Sequence, residues 1–98
     1  MATILDENTA AQMADLFSTL GDTNRVRIVA ALAADELNVS QLAEQIGLTH
    51  SAVSHQLRHL RQMRLVQSRK DGRFVYYQLD DEHVEELFRC GLEHVQHG

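Results

Sequence analysis

The sequence predicts a mainly α-helical domain with one small β-hairpin, a winged helix-turn-helix, and three observations carry that prediction. Ser40 to Ile46 and Thr49 to Met63 are amphipathic segments separated by little more than Gly47 and Leu48, the spacing of a helix, a tight turn and a second helix. Val66 to Arg69 and Phe74 to Leu79 follow as alternating segments joined by Lys70-Asp71-Gly72-Arg73, where Asp-Gly is a strong hairpin signal. Six of the nine basic residues, Arg58, Arg61, Arg64, Arg69, Lys70 and Arg73, lie between His55 and Arg73, with Asp71 as the one acid among them. That stretch therefore carries +5 and the rest of a chain of net charge -5 carries -10. An acidic protein thus keeps one basic face, which suits DNA phosphates but is equally the pattern of a solvated surface.

Taken in order, residues 1–9 lack periodicity and are expected to be disordered. Ala10 to Leu20 sets Met13, Leu16, Phe17 and Leu20 at helical steps and stops at Gly21. Asp22 and Thr23 offer capping oxygens to a second helix with Val26, Val29 and Leu32 on its inner face, ending in the polar connection Asp35-Glu36-Leu37-Asn38. Ser40 is expected to cap a short helix, Gln41 to Ile46, closed by Gly47. Thr49 caps the next, whose inner face is Val53, Leu57, Leu60 and Met63. Residues 40–64 are then the helix-turn-helix and 66–79 the wing.

The outer face of the second of these helices presents His50, Ser51, Ser54, His55 and Arg58. Small hydroxyl side chains let a helix approach base edges closely, and His and Arg donate to bases or phosphates. His55 and His59 stand at i, i+4, but no Glu follows His55 as a zinc-protease helix requires, so His59 is expected to be packed or solvated. On the wing, Arg69, Lys70 and Arg73 are placed to reach the DNA backbone or minor groove. Tyr76 and Tyr77 must point to opposite faces of their strand, one to the core and one to the surface.

The segment after the wing poses a geometric problem. Val84, Leu87, Phe88, Gly91, Leu92 and Val95 recur at steps of three and four, an amphipathic helix over 81–97 begun by Asp80 or Asp81. His83 and His94 are eleven positions apart, about 16 Å along the axis, whereas ligands of one tetrahedral zinc lie within roughly 3 to 4 Å of each other. Packed antiparallel against the same helix of a second chain, Asp81 and His83 of one copy meet His94 and His97 of the other, giving two symmetry-related sites of four N/O ligands. The competing reading is a solvated helix end whose histidines complement the dipole. Spacing alone leaves both open.

Length and composition bound the rest. A chain of 98 residues is one small domain that buries only part of its surface alone, so a homodimer through the helices 10–20 and 81–97 is expected. No run of eighteen apolar residues and no basic-then-apolar leader is present, which predicts a cytoplasmic protein without a membrane partner. The single cysteine, Cys90, excludes an internal disulfide. An enzyme is not expected: no general base stands beside an open coordination position, and the chain is small for a substrate pocket. A metal buffer or interaction dimer without DNA is the other class to separate.

At this point the chain resembles the ArsR/SmtB family of metal-sensing repressors from about Met13 to His97. Leu20-Gly21-Asp22-Thr23-Asn24-Arg25-Val26-Arg27-Ile28 resembles the family's opening signature, Ser51-Ala52-Val53-Ser54-His55-Gln56-Leu57 its recognition helix, and Asp81-x-His83 with His94-x-x-His97 its metal site on the last helix. The family's Cys-x-Cys site would fall near Leu37-Asn38-Val39, where there is no cysteine, so a thiolate-type arsenic, cadmium or lead sensor is not implied. What the resemblance implies is a winged-helix homodimer that binds operator DNA without metal and releases it when metal arrives, derepressing efflux or sequestration genes. Three imidazoles and one carboxylate suit Zn(II) first and Co(II) next. Ni(II) sensors of the family recruit further histidines, and residues 1–12 contain none. In related zinc sensors the first of the two late histidines bonds a backbone carbonyl beyond the recognition helix; carried over, His94 reaches the carbonyl of Arg64.

Overall fold

The computed structural model describes residues 4–97, in the order α1 (Glu7–Leu20), α2 (Thr23–Ala34), β1 (Leu37–Asn38), α3 (Val39–Ile46), α4 (His50–Gln62), β2 (Val66–Asp71), β3 (Phe74–Leu79) and α5 (Glu82–His97). Local chemistry fixes the helix starts. The Asp22 carboxylate accepts from the Arg25 amide at 3.1 Å, and Thr49 Oγ1 accepts from the Ala52 amide at 3.0 Å, so each satisfies a donor that the helix itself leaves free. Gly47 ends α3 in the left-handed conformation, φ 79°, which lets α4 begin only three residues later.

Four boundaries differ from the sequence expectation, each for a local reason. Helix α1 begins at Glu7 rather than Ala10, because Asp6 accepts from the Thr9 amide at 3.2 Å and starts the helix before its apolar stripe does. Expected disorder over 1–9 is therefore corrected for residues 7–9, which are helical; residues 1–3 lie outside the described residues. Helix α3 is capped by Asn38 in a reciprocal capping box with Gln41, not by Ser40. Leu37–Asn38 is a strand, not a polar connection: it pairs antiparallel with β3 as Leu37↔Tyr77 and Asn38↔Tyr76. The expected hairpin is thus two-thirds of a three-stranded sheet of order β1-β3-β2. Its turn is shorter than expected as well, with Asp71 paired to Phe74 and only Gly72 (φ 63°) and Arg73 between them.

The core gathers at the middle of the helix-turn-helix. Leu42, Val53, Leu57 and Leu60 are buried together with Ile28, Val29, Leu32 and Ile46, and Leu37, Leu65, Val66 and Val84 extend the cluster to the sheet and α5. Helix α2 turns Ile28 inward with Val29 and Leu32, while Val26 is 42% exposed, a correction to its expected inner position. Tyr77 packs against the core and Tyr76 lies on the other face beneath Arg69, as alternation requires. Among the described residues no helix is long and apolar enough to cross a membrane.

The molecule is elongated, 52 × 31 × 21 Å with a radius of gyration of 14.7 Å, against about 13 Å for a compact domain of this length. Most of α1 and the second half of α5 are exposed. Because Leu57 is buried at the centre of the cluster, Leu57→Ala is expected to lower stability by about 2–5 kcal/mol, read by urea denaturation at one fixed protein concentration.

Candidate functional site

The DNA-facing candidates fall on one surface. Val53, Leu57 and Leu60 hold one side of α4 in the core, and the opposite side presents His50, Ser51, Ser54, His55 and Arg58, all exposed. This follows from helical periodicity, since positions 50, 51, 54, 55 and 58 share a stripe that the apolar positions do not enter. On the wing Lys70 and Arg73 are exposed at the tip, with the Arg73 guanidinium 5.8 Å above the Phe74 ring. Arg69 differs. Its Nη2 donates to Glu36 Oε1 at 2.6 Å, and its Nε lies 3.0 and 2.9 Å from the two Glu36 oxygens. The bond from Arg69 holds the Glu36 carboxyl below the ordinary glutamate range, and Glu36 raises the Arg69 pKa in return.

A polar network ties α4 to the other helices through partners that sequence spacing does not specify. Arg25 donates from Nε to Gln56 Oε1 at 2.7 Å and from Nη1 to the Thr19 carbonyl at 3.2 Å. Thr19, 5% exposed, donates its hydroxyl proton to the Asp15 carbonyl at 2.8 Å. Its oxygen lies 3.4 Å from His59 Nε2, so His59 is packed against α1. Arg27 donates to the Ile46 carbonyl at 2.9 Å, closing the end of α3. The signal for Arg25 and Arg27 is a pair of charges in a helix whose other residues after Asn24 are apolar; which groups they reach depends on tertiary packing.

The metal-ligand candidates are split as the spacing requires. Asp81 Oδ1 accepts from the amides of His83 and Val84 at 2.9 and 3.2 Å and so caps α5. The Val84 amide is the main cause of its lowered pKa, with His83 adding to it. Its Oδ2 lies 3.5 Å from His83 Nδ1, and the His83 side chain is 90% exposed. His94 and His97 are exposed in the last turns of the same helix. Among the described residues, no three His, Cys, Asp or Glu side chains of one chain come together as a metal site. Between the two ends runs an open apolar groove of about 650 Å³, lined by Phe17, Leu20 and Val26 on one side and by Phe88, Leu92 and Val95 on the other. Arg64, just past α4, sits at φ 60°, a state that a non-glycine residue enters at a cost of about 1 kcal/mol or more.

A recognition helix anchored on one side and polar on the other, flanked by a basic wing, defines a winged-helix DNA-binding regulator. Residues 22–68 match the model of the bacterial regulatory protein arsR family. A transcriptional repressor SmtB homolog of Synechocystis is 48% identical over 93 residues, 95% of this chain and 70% of that protein. The HTH-type transcriptional regulator NmtR of Mycobacterium tuberculosis is 42% identical over 93 residues, 95% of this chain and 78% of that protein. The solution structure of apo-NmtR matches at a TM-score of 0.84 and 40% identity, covering 100% of this chain and 82% of that one. The homodimeric winged helix-turn-helix DNA-binding domain of Mb0332 from Mycobacterium bovis also gives 0.84, at 28% identity over 98% of this chain and 91% of that one. The chain belongs to the arsR family, and it is a DNA-binding transcriptional regulator, not an enzyme.

Two measurements check this geometry. Arg25→Met removes a charged donor from both Gln56 and the Thr19 carbonyl and is expected to cost about 1–3 kcal/mol in urea denaturation. Because its folded pKa is depressed, Glu36 keeps its ion pair above the ordinary glutamate range and loses it only as pH falls through the lowered value. An NMR titration of the Glu36 carboxyl should show that low midpoint, moving back up in Arg69→Gln.

Proposed function

We propose that this chain is a metal-responsive transcriptional repressor: a cytoplasmic homodimer that binds operator DNA when metal-free and releases it when Zn(II) binds at sites shared between two α5 helices. The observation that carries this reading is the arrangement of α5. An exposed carboxylate–imidazole pair, Asp81 and His83, stands at one end and an exposed imidazole pair, His94 and His97, at the other, with an uncovered apolar stripe between them. Head-to-tail pairing of two such helices covers the stripe and joins each carboxylate–imidazole end to an imidazole end. Exposed area supports the pairing. The chain exposes 7109 Å², while a compact monomer of its mass exposes about 5,700 Å², and the excess of roughly 1,400 Å² exceeds the 800 Å² or so that each partner of a standard interface buries.

The donors fit a borderline cation. Asp81 is held as a carboxylate by the amides it caps, and three imidazoles complete a tetrahedral N/O set without thiolate, which suits Zn(II) or Co(II). When bound, the metal supplies a cross-link that is stronger in one dimer conformation than in the other. That difference, and not affinity itself, is what shifts the population away from the DNA-competent form. DNA is met by His50, Ser51, Ser54, His55 and Arg58 on α4 and by Lys70 and Arg73 on the wing, where Arg69, expected beside them, is engaged by Glu36. His94 is assigned a second bond, from its non-ligating nitrogen to the carbonyl of Arg64, at the strained joint between the reading helix and the wing.

Zinc titration of the dimer bound to its own upstream DNA tests the reading. His83→Ala and His94→Ala are expected to bind DNA normally and fail to release it, whereas Ser54→Ala and His55→Ala weaken binding with and without metal. Metal uptake should weaken in acid, because imidazole ligates only when neutral. Leu92→Glu, in the uncovered stripe, should give monomers by light scattering. A protein that stays dimeric and binds DNA but takes up neither Zn(II), Co(II) nor Ni(II) would leave a family repressor that answers a non-metal signal.

A further inference from the structure

One side chain spans the three-stranded sheet from edge to edge. In the order β1-β3-β2, Glu36 adjoins one outer strand and Arg69 lies on the other. Register puts them on one face: Arg69 is opposite Tyr76, Tyr76 is opposite Asn38, and Glu36 stands two residues before Asn38, the separation that keeps side chains on the same side of a strand. The guanidinium passes over the Tyr76 ring, 5.2 Å from its centroid, and grips both Glu36 oxygens. Glu36 is itself anchored, because the next residue, Leu37, is buried in the core.

We propose that Arg69 is a positioning residue for DNA recognition, clamping β2 across β3 to Glu36 so that the wing keeps a fixed angle to the helix-turn-helix, and leaving phosphate contact to Lys70 and Arg73. The inference rests on the DNA-reading function of the family and not on the metal reading. A two-residue strand such as β1 makes a weak sheet edge, and a hairpin alone is marginal in water. Isolated exposed ion pairs contribute little, but a forked arginine on a carboxylate, supported by an aromatic face, is the geometry in which such a pair does constrain its partners. With Asp71 also 3.7 Å away, the Arg69 charge is already matched by acids, unlike that of a residue waiting for phosphate.

Charge and clamp predict opposite signs, which makes the experiment decisive. The probes are a duplex selected by the unmodified protein from a random-sequence pool and an unselected duplex of equal length, titrated at several salt concentrations. Removing a carboxylate near DNA strengthens binding on charge grounds, so a phosphate-contacting Arg69 predicts tighter binding of both duplexes by Glu36→Gln, no effect of Arg69→Lys, and a salt slope about 0.9 shallower in Arg69→Gln. Those results would overturn the proposal. A clamp predicts that Glu36→Gln and Arg69→Lys each lose about tenfold in preference for the selected duplex, the discrimination of one base pair. The double variant should then be no worse than either single one, with the Arg69→Gln slope unchanged. In the free protein, the Arg69 Nε–H signal should exchange slowly with water and lose that protection in Glu36→Gln. Fast exchange in the unmodified protein would end the proposal without any DNA measurement. Failure to enrich any duplex would remove DNA reading and the clamp's role together.

Discussion

The structure depends on a division of labour around one helix. Helix α4 has to be immobile on one side and unencumbered on the other, and the burial of Val53, Leu57 and Leu60 achieves the first without using any position needed for the second. Everything else is arranged to support that grip. Gly47 brings α3 close enough to share Leu42 and Ile46 with the same cluster, Arg25 holds Gln56 from the side, and the sheet closes the far end through Leu65 and Val66. A polar face can be presented to DNA because an apolar one is fully satisfied behind it.

The opposite condition holds on α1, α5 and the start of α2. There the apolar residues outnumber the partners that one chain provides, so Phe17, Val26, Leu92 and Val95 stay exposed. The hydrophobic effect scales with apolar area removed from water, and this is the area still available for removal. The histidines lie at the two ends of that surface. Whatever covers the stripe therefore also decides whether they meet.

Helix positions, the tight turn, the wing and the exposed stripe of α4 were legible from sequence because each depends on local spacing: caps, glycines and periodicity. The misses were those where local signals compete or where the partner is distant. Ser40 and Asn38 both offer a capping oxygen, and only the reciprocal Gln41 bond decides for Asn38. Val26 and Ile28 are both apolar and two positions apart; which faces inward is set by where α3 and α5 pack. Strand β1 is two residues long and carries no pattern of its own, so it exists only through its pairing with β3. Arg69 counted as one more cation of a basic stretch until the fold brought Glu36, thirty-three positions earlier, against it. The four candidate ligands follow from spacing alone, and within one chain Asp81 and His83 stand at one end of α5 while His94 and His97 stand at the other.

The pairing of Leu37 with Tyr77 has a kinetic meaning. It joins positions forty apart, with the whole helix-turn-helix between them, and closure of so long a loop is repaid only after both ends are in place. The capped helices do not need this closure in order to form, whereas the outermost strand does. The reading helix is thus held by contacts that form locally, whereas the sheet margin exists only once the whole unit between its strands is in place.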